Sequence, residues 1–129
     1  MAAAFEVYND RGYGLAEEIY QECLELELQI RGIPFLPKNE LKCFYKGHEL
    51  RKRYIPDLFV HGCLVVELKA VAELLPEHEA QVFNYLRVAR RPVGYLINFG
   101  HRETLEWKRF ILSEFIDANR SSTLIKRPL

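Results

Sequence analysis

From Leu15 to Ile30 apolar side chains return every three or four positions, the period of a helix that buries one side. Leu15, Ile19, Cys23, Leu26 and Ile30 fall on one stripe, and Tyr20, Leu24 and Leu28 widen it beyond half the circumference. Glu18, Gln21, Glu22, Glu25 and Gln29 fill the remaining arc, whereas Glu17 and Glu27 intrude among the apolar residues. Gly32 and Pro34 end the helix. Ahead of it, Gly12 and Gly14 around Tyr13 predict a turn, and residues 1–13 give few structural signals beyond Phe5 and Val7. After it the period changes. Leu41 to Tyr45 reads as a strand and Lys46-Gly47-His48 as a turn, with residues 49–60 as the returning strand of a hairpin. Pro56 has no N–H for a ladder, so it marks an edge, a bend or a bulge in that strand. A turn at His61-Gly62 leads to a third strand, Leu64 to Leu68, apolar on both faces and therefore central. Pro76 introduces a second helix from about Glu77 to Arg91, stopped by Pro92. Val93 to Asn98 is a fourth strand, closed by Gly100. Leu105 to Leu112 reads two ways: alternation of Leu105, Trp107 and Ile111 favours a strand, whereas Phe110-Ile111-Leu112 followed by Phe115-Ile116 fits a helix. Residues 120–129 read as frayed. The order helix, three strands, helix, strand (α-β-β-β-α-β) predicts an α/β fold with a mixed central sheet flanked by helices. The crossover from third to fourth strand should be right-handed.

Some polar residues break this pattern. Glu67 and Lys69 are two apart on an otherwise apolar strand, so they share a face while Val66 and Leu68 take the other. Burying unpaired charge is costly. A metal ion held by carboxylates, with a lysine beside it, would explain their presence. Asp57 follows Pro56 on the preceding strand. On the second helix His78, Val82, Tyr85, Leu86 and Ala89 share a face, with Gln81 at its edge, and Gln81 and Tyr85 are one turn apart, so their polar ends can meet. Singly, each has an ordinary reading: a turn acid, a surface ion pair, a helix-packing tyrosine, a snorkelling Glu17. Jointly they fall on elements that can share one sheet edge.

Composition narrows the setting. At 129 residues, 49% hydrophobic and 28% charged, the chain reads as a single globular domain. Lysine plus arginine and aspartate plus glutamate both total 18, so the net charge is zero and a polyanion has to be met by a local patch. Arg51-Lys52-Arg53 and Arg87, Arg90, Arg91 are the candidates, against the plain reading of solvated charges. Cys23, Cys43 and Cys63 lack metal-ligand spacing and read as small buried hydrophobes in a reducing compartment. His48, His61, His78 and His101 show no ligand spacing either, and Trp107 reads as a packing residue. With no signal peptide and no long apolar run, the expected location is cytoplasmic, with no membrane partner.

The sequence resembles the PD-(D/E)XK nuclease superfamily. Pro56-Asp57 and Glu67-Leu68-Lys69 match its name-giving motif, and Gln81-Val82-Phe83-Asn84-Tyr85 is similar to the Q-x-x-x-Y helix of its exonuclease branch. Gly14-Leu15-Ala16-Glu17-Glu18-Ile19-Tyr20 reads as G-x-x-E-x-x-Y, the signature of a group of small proteins in the same superfamily. Tyr45-Lys46-Gly47 and Gly94 to Gly100 extend the likeness, which covers about residues 5–112 and leaves 113–129 as an extension. The resemblance implies a restriction-endonuclease-like core and a nuclease hydrolysing phosphodiesters of DNA or RNA, DNA ahead of RNA. It implies that Asp57, Glu67, the backbone carbonyl of Leu68 and Glu17 hold Mg2+, with Mn2+ as a substitute. Lys69 would position or deprotonate the attacking water, and Gln81 and Tyr85 would orient the site or contact a phosphate. With no base-reading element to point to, discrimination by substrate end, structure or partner protein is expected, and a homodimer or an accessory protein is the expected protein partner. The rivals are a nuclease-fold module that binds nucleic acid or protein without cutting, and a structural domain whose Glu67–Lys69 pair is a plain salt bridge.

Overall fold

The computed structural model describes residues 1–116. The frayed reading of residues 120–129, and most of the extension 113–129, fall outside the described residues.

The chain begins with a helix the apolar pattern does not announce: α1, Ala2–Arg11. Its buried side is Ala3, Ala4 and Val7, too small and too few to stand out as an amphipathic stripe. Gly12 ends it at φ 70, a left-handed conformation that glycine adopts without steric cost. The next helix, α2, spans Glu17–Ile30 and buries Tyr20, Gln21, Leu24 and Leu28. The stripe expected to be its centre is instead largely outside: Leu26 is 57% and Ile30 69% exposed. Apolar residues cover more than half of this helix, so periodicity alone cannot say which arc meets the sheet. The sheet selects the arc centred on Leu24, and Cys23 is left half-buried.

The main sheet has five strands in the order β1-β4-β5-β6-β7. These are β1 (Phe35–Pro37), β4 (Leu58–Val60), β5 (Leu64–Lys69), β6 (Val93–Asn98) and β7 (Glu106–Ile111). Only β5 and β6 run parallel among these pairs; the others are antiparallel. The crossover between β5 and β6 is α3, Pro76–Ala89, as the pattern of residues predicts. β5 lies at the centre, and β7 resolves the 105–112 ambiguity in favour of a strand. Its inward residue is Phe110, whereas Trp107 packs at the edge beside Tyr95 and Ile111 is exposed.

The expected single strand over residues 49–60 is two strands in different sheets. β2 (Leu41–Tyr45) and β3 (His48–Tyr54) form a separate hairpin, while β4 joins the main sheet. Pro56 stands in the gap, where the missing N–H makes a continuous ladder unfavourable. The three-residue β1, absent from the sequence pattern, pairs with β4. Apolar cores lie on both sides of the sheet. One joins Leu58, Val66, Leu68 and Ile97 to α1 and α2, and the other joins Phe59, Val65, Leu96 and Phe110 to Val82, Tyr85 and Leu86 of α3.

The end of β6 is tied to the exit of β5. Asn98 is fully buried; its Oδ1 accepts from the N–H groups of Val71 and Gly100, and its Nδ2 donates to Val71 O and Glu106 Oε1. Gly100 is needed here, because a Cβ would collide with the backbone of Ala70 and Val71. The loop that follows Lys69 is thereby held against the sheet.

Candidate active site

The β4–β5 ladder pairs Leu58 with Val66. One residue further, Asp57 and Glu67 come opposite each other. The Asp57 N–H donates to Glu67 Oε1 at 3.0 Å, and the Leu68 N–H donates to Asp57 Oδ2 at 2.7 Å. Both acids are 4% exposed. Val66 and Leu68 point into the α1–α2 core, so Glu67 and Lys69 share the opposite face, as strand alternation requires. Lys69 Nζ lies 3.9 Å from Glu67 Oε2. Burial and the adjacent Asp57 charge push the Glu67 carboxyl up to about 9.

Two residues join this centre that the sequence pattern does not assign to it. Lys38, in the left-handed conformation at φ 51 just after β1, donates its backbone N–H to Asp57 O at 3.0 Å, and its ammonium pairs with Asp57 Oδ1. Burial lowers the affinity of that ammonium for its proton, but the Asp57 hydrogen bond and the charges of Asp57, Glu67 and Glu17 outweigh it, and its pKa is raised. Nothing in Pro37-Lys38-Asn39 distinguishes this lysine from a loop cation. Gln21, assigned to the polar arc of α2, is buried; its Nε2 donates to Asp57 O at 3.0 Å and Glu25 Oε2 at 2.8 Å. Its spacing four residues after Glu17 is the available signal, because it puts both on one helix face. Glu17, Glu18, Gln21 and Lys38 line a cavity of about 250 Å³.

Glu17 reaches the site through a built turn. Gly14 has φ 100, a conformation strained for other residues. Tyr20, fully buried and stacked on Phe99, donates its hydroxyl to Gly12 O at 2.5 Å and accepts from the Leu15 N–H at 3.2 Å. The glycine and tyrosine of the G-x-x-E-x-x-Y pattern thus fix the turn that delivers Glu17 at the start of α2. Burial first, then the Asp57 charge, raises the Glu17 pKa against the opposing pull of Lys69 and Lys38.

On α3, Gln81 Nε2 donates to Tyr85 Oη at 3.0 Å, so the polar ends meet as the spacing predicts. Burial, then the charges of Glu67 and Asp57, raise the Tyr85 pKa and keep it a phenol. Tyr54 meets Tyr85 edge-on with ring centroids 5.4 Å apart. His78 takes a capping role instead: its Nδ1 accepts the Leu75 N–H at 3.0 Å. The cysteines are free thiols, but Cys63 is exposed rather than buried, because it sits in the turn after β4.

The structure therefore brings Asp57, Glu67 and Lys69 together and puts Glu17, and Tyr85 with its partner Gln81, within the field of the acids. Among the described residues no three acid, histidine or cysteine side chains close to metal-holding distance. The donor set is two facing carboxylates. On α2 the buried Gln21 Oε1 has no hydrogen-bond partner among the described residues. The two carboxylates are hard oxygen donors of the kind a small dication takes, and such an ion would relieve the repulsion between them. No described helix is long and apolar enough to cross a membrane.

A family model of the PD-(D/E)XK nuclease superfamily matches residues 1–110. The chain belongs to that superfamily. Among solved structures it is similar in fold to SSO0001, with a TM-score of 0.61 at 17% identity. That match covers 84% of this chain, which spans only 57% of the SSO0001 chain. A second similar structure is the alkaline exonuclease LHK-Exo from Laribacter hongkongensis, at 11% identity, TM-score 0.47, and 95% and 83% of the two chains. No curated protein matches.

Proposed function

We propose that this protein is a dication-dependent nuclease that hydrolyses phosphodiesters at the Asp57–Glu67 pair. The observation that carries the reading is two buried carboxylates facing each other across β4 and β5 with a lysine on the same face. Membership of the nuclease superfamily supports a nucleic-acid substrate. The Gly14–Tyr20 pattern supports placing the chain with the small G-x-x-E-x-x-Y proteins.

In this reading Asp57, Glu67 and the carbonyl of Leu68 hold Mg2+, or Mn2+ in its place, with Glu17 completing the set directly or through water. The ion supplies Lewis-acid polarisation and a more acidic bound water. Lys69 orients the attacking water and screens charge developing on the phosphoryl oxygens. Tyr85, kept protonated, donates to a phosphate oxygen, and Gln81 holds its hydroxyl in place. The test is cleavage of labelled single- and double-stranded DNA with Mg2+, comparing the protein with Asp57→Ala. Loss of cleavage in the variant is expected; equal cleavage by both rejects the site.

One observation favours the non-cleaving alternative: the Lys38 ammonium occupies Asp57 Oδ1, an oxygen the ion needs. Calorimetry separates the two. Mg2+ binding that depends on Asp57 supports the enzyme, and nucleic-acid binding with no Mg2+ uptake supports the binding module.

A further inference from the structure

A second feature lies where the hairpin β2–β3 leans on α3. A groove of about 600 Å³ runs between them, lined by Lys42 and Lys52 from the hairpin and by Arg87 and Arg90 from α3 and its C-cap. No acid lines it among the described residues. In a chain of zero net charge this is a local concentration of positive potential. Folding has assembled it from stretches far apart in sequence: Lys52 comes from the basic run at 51–53, and Arg87 and Arg90 from the cluster at 87–91. Arg53, by contrast, pairs with Glu49 at 2.9 Å.

The groove also presents an aromatic surface. Phe44 lines it and is 59% exposed. The β2–β3 register slips between Lys42 and Phe44, and both residues line the groove. Such an irregularity re-aims side chains on a ribbon. Tyr54 also lines the groove, and its ring meets Tyr85, whose phenol feels the Glu67 charge. Cations that contact phosphates beside an exposed ring that can stack a base are the combination single strands require; in a duplex the base faces are already stacked.

We propose that this groove is the path of single-stranded nucleic acid. Phosphates contact Lys42, Lys52 and Arg87, a base stacks on Phe44, and the strand passes Tyr54 towards the acids. Arg90 already sits over the Phe115 ring at 5.5 Å, so the main weight falls on the other three cations. The destination of the strand rests on the hydrolase reading above; binding in the groove does not.

The experiment is fluorescence anisotropy with a short labelled DNA strand, the matching RNA strand and the DNA duplex, in chelator so that nothing is cut. The single strands should bind more tightly than the duplex. Phe44→Ala should weaken single-strand binding about tenfold with an unchanged salt dependence. Lys52→Ala with Arg87→Ala should weaken it and reduce the salt slope by about 0.7 per lost contact. All three side chains are exposed, and unchanged melting temperatures establish that the variants fold. Variants that bind single strands like the parent, or a duplex preference indifferent to Phe44, overturn the proposal. Groove-dependent binding without Mg2+-dependent cleavage removes the hydrolase and keeps the groove. Cleavage by the groove variants with unchanged kcat/KM removes the groove and keeps the hydrolase.

Discussion

Glu67 is held where its charge is unwelcome: buried, facing Asp57, with Lys69 only at 3.9 Å. Its folded pKa lies above the ordinary value of 4.5, at about 9, so the folded state keeps a proton the unfolded chain releases. The stabilisation linked to that proton is full below about pH 4.5 and is lost as pH rises through about 9. Thermal melts in chelator should therefore show declining stability across this window, and Glu67→Gln should flatten the decline while abolishing Mg2+ binding. Stability that climbs across the window contradicts the assignment. Lys38 pairs with Asp57 and, together with Lys69, partly relieves the acids. Lys38→Met should lower stability in chelator yet tighten Mg2+ severalfold by calorimetry, because it vacates Asp57 Oδ1; weaker Mg2+ binding in the variant would make Lys38 a structural partner instead. Tyr20→Phe removes a hydroxyl that serves both Gly12 O and the Leu15 N–H. It should cost about 1–3 kcal/mol in urea denaturation, and cleavage should fall further than stability explains, since Glu17 is delivered by that turn.

At the scale of elements, the site depends on how the loop after β5 is anchored. Asn98→Ala strips partners from Val71 and Gly100 at once and should cost about 2 kcal/mol or more by urea denaturation. A near-neutral result would mean that the loop holds itself. Much of this architecture is legible in the residues: the central β5 from its apolar run, α3 from its 3.6-residue face, and the shared side of Glu67 and Lys69 from alternation. The likeness carried by Asp57, Glu67-Leu68-Lys69 and Gln81–Tyr85 names the residues of the candidate site. What escapes is what only tertiary contact decides. α1 buries three small side chains, below any useful amphipathic contrast. α2 has too wide an apolar arc to name its own inner face. Lys38 and Gln21 earn their positions from neighbours that are distant in sequence, and the split of residues 49–60 between two sheets follows from where β4 finds its partners.

For the molecule as a whole, dication binding and folding should be linked. If the ion binds the native site alone, Mg2+ at a hundred times its Kd stabilises by about 2.7 kcal/mol, read as a rise in Tm that Asp57→Ala abolishes. A Tm indifferent to Mg2+ in the parent protein would remove the metal from the site. The superfamily match over residues 1–110 and the five-stranded mixed sheet define what the chain is at this scale. The margins of that sheet carry a consequence of their own. One margin is β1, three residues long and ending in Pro37; the other, β7, displays Lys108 and Arg109. A short margin closed by an imino acid and one studded with cations are both poor templates for adding a foreign strand. With an isoelectric point near 6.9, mutual repulsion does little to keep copies apart at neutral pH. At the main sheet, guarding against amyloid-like stacking therefore falls to the short, proline-ended β1 and to the local cations of β7.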